Sequence, residues 1–147
     1  MADPAAADGA EVDPALLARL SADPLADLLG IALEEARPGY ARATMTVGPR
    51  LLNAVGTAHG GATMALLDVV FAVVCNVHGV VAVAQELHTE FLAAGRPGER
   101  LVAEGTELHL SRRTAVYRLE ARGEDGRPVA TALARAFRTE RSWVEAG

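Results

Sequence analysis

Asp68 is the residue of this sequence whose type and position most suggest chemistry. It lies within the stretch NAVGTAHGGATMALLDVVFAVVCNVHG, residues 53–79, and is the only formally charged side chain between Arg50 and Glu86. An ionised carboxylate in apolar surroundings is costly unless it has a partner. Two interpretations are open from the sequence: an arginine of another element pairs with Asp68, or the carboxylate takes part in a reaction.

Further polar or flexible residues precede Asp68 in the loop and first helical turn, namely Asn53, Thr57, His59, Gly60 and Gly61. Free backbone N–H groups and the helix dipole favour a negative oxygen at such a helix start. Because glycine has no Cβ, a substrate carbonyl could approach the N–H of Gly60 or Gly61 closely. Structural interpretations stay open as well: the glycine pair as a packing contact, and His59 as a neutral helix cap.

The spacing of Gly60 and Asp68 adds a constraint. They lie eight positions apart, which is roughly 12 Å along a helix at a rise of 1.5 Å per residue. Both cannot contact one reacting carbonyl group, so any cooperation between them requires two chains. Two such helices, antiparallel across a two-fold axis, would create two equivalent sites, and the sequence therefore predicts a homodimer with shared sites.

The composition limits the classes of protein that need considering. Half of the 147 residues are hydrophobic, enough for one domain, which we assign to residues 13–147 after a disordered leader of residues 1–12. The net charge of -5 argues against nucleic acid or an anionic membrane as partner. The longest helix-like apolar run, residues 62–75, is shorter than the roughly 20 residues of a membrane span. A single cysteine and an N-terminus without the features of a secretory signal predict a cytoplasmic protein.

The pattern of hydrophobic residues predicts the order of elements. Two short helices between Asp13 and Gly30 precede a hairpin around Pro38-Gly39, then a helix from about His59 to Val77, and finally four strands. This order predicts an α+β domain with an antiparallel sheet packed on one long helix. No P-loop, GxGxxG pattern or zinc-like Cys/His spacing is present, so we expect no metal and no cofactor.

Three segments of the chain resemble hotdog-fold acyl-CoA thioesterases, in particular the phenylacetyl-CoA (PaaI-like) branch. They are LLNAVGTAHGGATMALLDVVFAVVCN at 51–76, HTEFLAAGRPGERLVAEG at 88–105 and LSRRTAVYRLE at 110–120. The resemblance spans about Leu28 to Arg138. It implies a hotdog fold in which five or six antiparallel strands wrap around the helix, dimers that join sheets edge to edge, and homotetramers.

The resemblance also implies roles for the residues of the opening stretch. Asp68 would be the nucleophile or the general base toward the thioester, and Gly60 would supply the N–H that binds the oxyanion. Asn53 and His59 would position substrate or water and support the start of the helix. From its backbone N–H beside them, Gly61 is a further candidate for substrate binding.

Two departures from the pattern bear on substrate binding. The branch often has serine or threonine early in the strand after the helix, where this chain has Ala84-Gln85, so Gln85 either positions the water or that task is absent. Ala93-Ala94 replaces an Arg-Pro pair, which suggests different contacts to the nucleotide of coenzyme A.

Three arginines are candidates for binding the diphosphate of coenzyme A: Arg96, Arg112 and Arg113. Their guanidinium groups suit bidentate contacts with phosphate. We expect Arg112 and Arg113 on opposite faces of a strand start, so that at most one points into the site.

The sequence thus predicts hydrolysis of an aryl- or medium-chain acyl-CoA, such as phenylacetyl-CoA in phenylacetic acid degradation, to free acid and coenzyme A. Two alternatives are a hotdog hydratase or dehydratase with His59 as base, and a non-catalytic module that binds acyl-CoA. The isolated carboxylate of Asp68 favours the hydrolase, since a binding module has no need of it.

Overall fold

The structure, a computed structural model, describes residues 11–144. Residues 1–10 of the predicted leader lie outside the described residues. Val12, which the sequence analysis placed at the end of the leader, is buried against the domain core.

Three α-helices form where the sequence predicts them, and each begins at a residue suited to cap it. They are α1 (Pro14–Ser21), α2 (Pro24–Leu29) and α3 (Gly60–Val74). Asp13 and Asp23 cap α1 and α2, since each carboxylate accepts backbone N–H groups of the first turn. Proline follows each aspartate at the first helical position, where its missing N–H costs nothing.

Six strands form one antiparallel sheet in the order β1-β2-β4-β5-β6-β3. They are β1 (Ile31–Arg37), β2 (Tyr40–Thr46), β3 (Val80–Phe91), β4 (Arg100–Leu110), β5 (Thr114–Arg122) and β6 (Pro128–Ser142). The chain leaves β2 through α3 and returns at the opposite edge as β3, so the helix lies across one face of the sheet. The predicted α+β hotdog fold is confirmed.

Helix α3 forms the centre of the core. Nine of its fifteen residues are buried, including Leu66, Leu67 and Val70. The helix ends at Val74, three residues before the predicted Val77, because the chain turns at Asn76. The carboxamide of Asn76 accepts the N–H of Ala82 at 2.8 Å and donates to its carbonyl oxygen at 3.1 Å, which joins the turn to the start of β3.

Small side chains on the inner face of the sheet leave room for α3. The buried positions include Ala41 and Ala43 on β2 and Ala103 on β4, all fully covered. A Cβ on Gly105 would lie 2.9 Å from Val70 of the helix, so glycine permits close approach there. Apolar and polar residues alternate along β2, and this alternation predicts that Thr44 faces outward. Thr44 is instead buried, and its hydroxyl donates to Glu34 at 3.2 Å.

Strand β3 forms an open edge of the sheet, since it pairs only with β6 within the described chain. It is twelve residues long and exposes the apolar side chains of Val83 and Phe91. A long exposed edge with apolar side chains is a surface on which another strand can pair.

Candidate active site

The first turn of α3 is capped by the ring of His59. Its Nδ1 accepts the N–H of Gly61 at 3.0 Å, and its own backbone N–H donates to the carbonyl of Leu51 at 2.7 Å. Since Nδ1 is the acceptor, we assign the proton of the neutral ring to Nε2. The capping interpretation of His59 therefore describes its contacts in the isolated chain.

The N–H of Gly60 has no hydrogen-bond partner among residues 11–144, in contrast to that of Gly61. It is one of the unpaired donors that every helix start presents. The ring of Phe91, at the end of β3, lies over Gly60: a Cβ added there would be 3.4 Å from Cζ of the ring. Gly60 thus offers a free donor beside an exposed aromatic side chain.

Asn53 closes the loop that precedes the helix. Its Oδ1 accepts the N–H groups of Val55 and Thr57, both at 3.1 Å, and its Nδ2 contacts the Thr57 hydroxyl at 3.0 Å. The carboxamide therefore shapes residues 53–57, a structural use that the sequence analysis did not identify.

Asp68 lies on the outer face of α3 and is exposed in the single chain, which differs from the burial that the apolar sequence suggested. The apolar neighbours turn inward, whereas Asp68 shares an exposed stripe with Gly61 and Ala72. Within residues 11–144 no arginine pairs with its carboxylate, so the ion-pair interpretation has no support. Partial loss of hydration raises the pKa of the Asp68 carboxyl above its ordinary value, and the negative charge of Asp23 adds to the increase.

Gln85 lies at the middle of the open strand. The pairing of β3 with β6 shifts between Ala84 and Glu86, so that Gln85 occupies a β-bulge. Its side chain is exposed and has no hydrogen-bond partner in the described part of the chain.

The three candidate arginines lie at opposite ends of the domain. Arg96 belongs to the loop beside the start of α3, where its guanidinium is 3.5 Å from Asp125. Arg112 and Arg113 contact the same carboxylate oxygen, Oε1 of Glu140, at 3.2 and 3.0 Å. The prediction that they lie on opposite faces is wrong, because both belong to the turn before β5 rather than to the strand.

The turn with Arg112 and Arg113 borders a surface cavity of about 500 Å³ that Arg138 and Arg141 also line. Val80, at the start of β3, lines the same cavity. Gly60 contacts the other end of that strand, roughly 35 Å away along the backbone at 3.3 Å per residue. Within one chain, the arginine-lined cavity and the Gly60 donor cannot contact the same thioester.

Sequence reasoning did not identify Phe91, which lies over Gly60, or Gly95, which contacts Ala58 just before it. The carbonyl of Gly95 accepts the N–H of Ala58, two residues before Gly60, at 2.9 Å. Both contacts join segments more than thirty residues apart, so no local spacing signals them. The close approach of Gly95 to Ala58, where a Cβ would lie 2.8 Å from that of Ala58, explains the glycine.

Across residues 11–144, no group of three or more His, Cys, Asp or Glu side chains is placed to hold a metal ion. In the same part of the chain, no helix combines the length and hydropathy of a membrane span.

Comparison with known proteins shows the family. Residues 55–130 match the thioesterase superfamily. A protein of Deinococcus radiodurans whose assigned name is esterase is 43% identical over 117 residues, 79% of this chain and 80% of that protein. Acyl-coenzyme A thioesterase PaaI of Escherichia coli is 36% identical over 108 residues, 74% of this chain and 77% of PaaI.

Solved structures agree with this match. The structure of the E. coli PaaI protein superimposes with a TM-score of 0.83 at 32% identity, covering 86% of this chain and 91% of that one. A hypothetical thioesterase of Streptococcus pneumoniae, solved with coenzyme A, has a TM-score of 0.73 at 28% identity, covering 76% of this chain and 88% of that one. The chain belongs to the thioesterase superfamily. Within it the chain is a PaaI-like hotdog hydrolase, so the predicted family and class of enzyme are confirmed.

Proposed function

We propose that this protein hydrolyses the thioester of an aryl- or medium-chain acyl-CoA, with the Gly60 N–H and Asp68 as its catalytic groups. One observation carries the proposal: the Gly60 N–H is unpaired at the start of α3, while the neighbouring Gly61 N–H is bound by His59. A fixed, unpaired donor at a helix start suits the oxygen on which negative charge develops in thioester hydrolysis.

In the reaction, the thioester carbonyl oxygen accepts the Gly60 N–H, and Asp68 promotes attack on the carbonyl carbon by one of two routes. Asp68 either attacks that carbon to form an anhydride, which water then cleaves, or takes a proton from the attacking water. By either route the C–S bond breaks, the thiolate of coenzyme A takes up a proton, and the acid is released. Asn53, His59 and Gly61 border the reacting group, and Gln85 positions the water.

A dimer that pairs the two β3 edges antiparallel would resolve the spacing problem. The two-fold axis would pass near Gln85, at the middle of the strand, and align the Phe91 end of one chain with the Val80 end of its partner. The open edge of β3 and its exposed Val83 support this pairing. Asp68 of one chain and the Gly60 donor of the other would then form one site. Two such dimers would form the homotetramer.

The same pairing would place the arginine-lined cavity of one chain beside the thioester site of its partner. Arg112 and Arg113 would there meet the diphosphate of coenzyme A, and Arg96 would approach it from the chain that supplies Gly60. The S. pneumoniae neighbour was solved with coenzyme A, which supports acyl-CoA as the substrate class.

An aryl acyl group fits the surroundings of Gly60, because the exposed ring of Phe91 offers a flat apolar surface next to the donor. The likeness to E. coli PaaI, a protein of the phenylacetic acid degradation operon, supports phenylacetyl-CoA as the first substrate to test. Such a role places the protein in the cytoplasm, which agrees with its single buried cysteine.

The test is to incubate the purified protein with a panel of acyl-CoAs and to follow free thiol. Thiol release that is fastest with phenylacetyl-CoA or a medium-chain substrate supports the proposal, and Phe91→Ala should slow the aryl substrate more than an aliphatic one. Water addition to an enoyl-CoA without thiol release would instead identify a hydratase. Binding without any turnover would identify a binding module. His59 fits a hydratase base poorly, because in the assigned tautomer its free nitrogen carries the proton.

A further inference from the structure

We infer that Arg127 is a positioning residue that fixes the Gly60 N–H donor through the loop of residues 94–99. The inference rests on the proposed use of Gly60 in thioester hydrolysis. Arg127 itself precedes β6, and none of its hydrogen bonds reaches His59, Gly60 or Asp68.

Arg127 holds this loop with both ends of its guanidinium group. Nη1 donates to Oε1 of Glu99 at 3.2 Å and Nη2 to Oε2 at 3.0 Å, while Nη2 also donates to the carbonyl of Ala94 at 3.0 Å. Glu99 is buried, and its Oε2 accepts the backbone N–H of Arg96 at 2.8 Å. The pair of Glu99 and Arg127 thus binds the loop on both sides of Gly95.

Gly95 transmits this restraint to the start of α3. Its carbonyl accepts the N–H of Ala58 at 2.9 Å, and the two backbones approach so closely that a Cβ on Gly95 would lie 2.8 Å from that of Ala58. Ala58 is two residues before Gly60. A shift of Gly95 must therefore move the chain that leads into the helix.

A second route joins Arg127 to the same place. Val129, two residues after Arg127, accepts the N–H groups of Leu92 and Ala93 at 2.8 and 3.2 Å. These residues directly follow Phe91, whose ring covers Gly60. Arg127 therefore adjoins both segments that contact the start of α3, the loop that contacts Ala58 and the end of β3 that contacts Gly60.

The surroundings fit a charged, bidentate pair. Burial alone would raise the pKa of Glu99, but hydrogen bonds from Arg127 and from the Arg96 N–H hold that pKa below its ordinary value. A Cβ on Gly123 would lie 2.2 Å from Oε1 of Glu99, so glycine leaves room for the carboxylate in this position. Lysine at position 127 could not donate to two carboxylate oxygens and a carbonyl in this planar arrangement.

Four variants test the inference by separating stability from positioning. Arg127→Met removes the restraint and leaves the buried Glu99 carboxylate unpaired, which should also lower Tm. The double variant Glu99→Gln/Arg127→Met removes the unpaired charge and should recover much of that loss, since removing both partners of a buried pair costs less than removing one. Arg127→Lys is the conservative variant. Arg122→Met is the matched control, because Arg122 bonds to Gly126 in the same hairpin turn.

We expect kcat to fall about 10- to 100-fold in Arg127→Met and to stay low in the double variant, with a smaller change in KM for acyl-CoA. Arg127→Lys should retain an intermediate kcat, and Arg122→Met the kcat of the unchanged protein. In ¹H–¹⁵N spectra the amide signals of Ala58 and Gly60 should shift in Arg127→Met and in the double variant, but not in Arg122→Met.

A kcat that recovers with Tm in the double variant would overturn the positioning role and leave a structural one. Unchanged amide signals of Ala58 and Gly60 would overturn it as well, and that measurement needs no activity. If the unchanged protein cleaves no acyl-CoA while these amide signals do shift, the proposed function fails and the structural coupling stands.

Discussion

The two ends of α3 present different kinds of chemical group. At its N-terminal end the proposed catalytic group is a backbone donor, the Gly60 N–H, which lies beside the His59 cap and near the loop at Gly95. Beyond its C-terminal end, the cavity next to Val80 is lined by long charged side chains. Arg112 and Arg113 are there 82% and 56% exposed, and they share the single carboxylate of Glu140.

The difference matches two different tasks. A donor that stabilises a reacting oxygen must be held within fractions of an ångström, which short backbone hydrogen bonds achieve. Charges that attract a polyanion can stay mobile, because their effect depends less on geometry and more on salt. Changes to the Gly60 donor should therefore alter kcat, and changes to Arg112 and Arg113 should alter KM.

Asp68 lies between the two ends and should give the largest effect. Asp68→Asn removes the proposed nucleophile or base while keeping the shape of the side chain, so we expect kcat to fall about 10²- to 10⁴-fold. Because Asp68 has no ion pair within residues 11–144, the substitution should not weaken the fold. Thiol release and a thermal melt on the same sample measure both. An active Asp68→Asn protein would remove Asp68 from the mechanism, and a large loss of Tm would restore the ion-pair interpretation.

Gly60→Pro should give the next largest effect, and it isolates the backbone donor. Proline is favoured at the first position of a helix, and His59, at φ -64° and ψ 134°, already has the conformation that a residue before proline prefers. The variant should thus fold and lose only the N–H, lowering kcat about 10²- to 10³-fold. Gly60→Ala keeps the N–H and is the control. Equal activity in the proline and alanine variants would exclude the donor role.

A mixture of two inactive variants tests whether Asp68 of one chain and Gly60 of its partner belong to one site. After subunit exchange, an Asp68→Ala chain and a Gly60→Pro chain would form heterodimers in which one of the two shared sites is intact. We expect activity to reappear in proportion to the heterodimer measured by mass spectrometry. Exchange without recovery would place Asp68 and Gly60 of the same chain in one site, or neither in it.

The arginine end should show smaller effects, confined to binding. Replacing both Arg112 and Arg113 by alanine should raise KM for acyl-CoA by about tenfold at most, with kcat nearly unchanged, because the nucleotide is bound alike before and in the transition state. The effect should shrink as salt rises. The double variant is needed because either arginine alone can still bind near Glu140. If it and Arg96→Ala both leave KM unchanged at low salt, other residues bind the nucleotide.

The sequence predicted what local patterns encode and failed where distant segments meet. Alternation in β2, the Asp-Pro caps and the long apolar run located β2 and the three α-helices to within a few residues. Periodicity does not reveal which side of an apolar helix carries its one charge, and so Asp68 was expected to be buried. The contacts of Phe91 and Gly95 with the start of α3 depend on the path of β3 to the far edge of the sheet, which no spacing records.

The smallest predicted effect concerns the pH dependence of Asp68. Its raised pKa results first from lost hydration and second from the charge of Asp23. If the ionised carboxylate is required, kcat falls as the pH falls through that pKa. Asp23→Asn removes the charge, yet asparagine can still accept the N–H groups of Leu25 and Ala26 that cap α2. The acid limb of the pH–rate profile should therefore move to lower pH, but only in part, because the lost hydration stays. Asp13→Asn makes the same change at the cap of α1 and should leave the limb in place.

The same raised pKa means that the folded protein keeps this proton longer than the unfolded chain, so ionisation of Asp68 costs stability as pH rises through the window above the ordinary pKa. Asp68→Asn should abolish that loss of stability in thermal melts recorded across the window. If Asp23→Asn leaves the acid limb of the pH–rate profile in place, that limb belongs to the titration of another group.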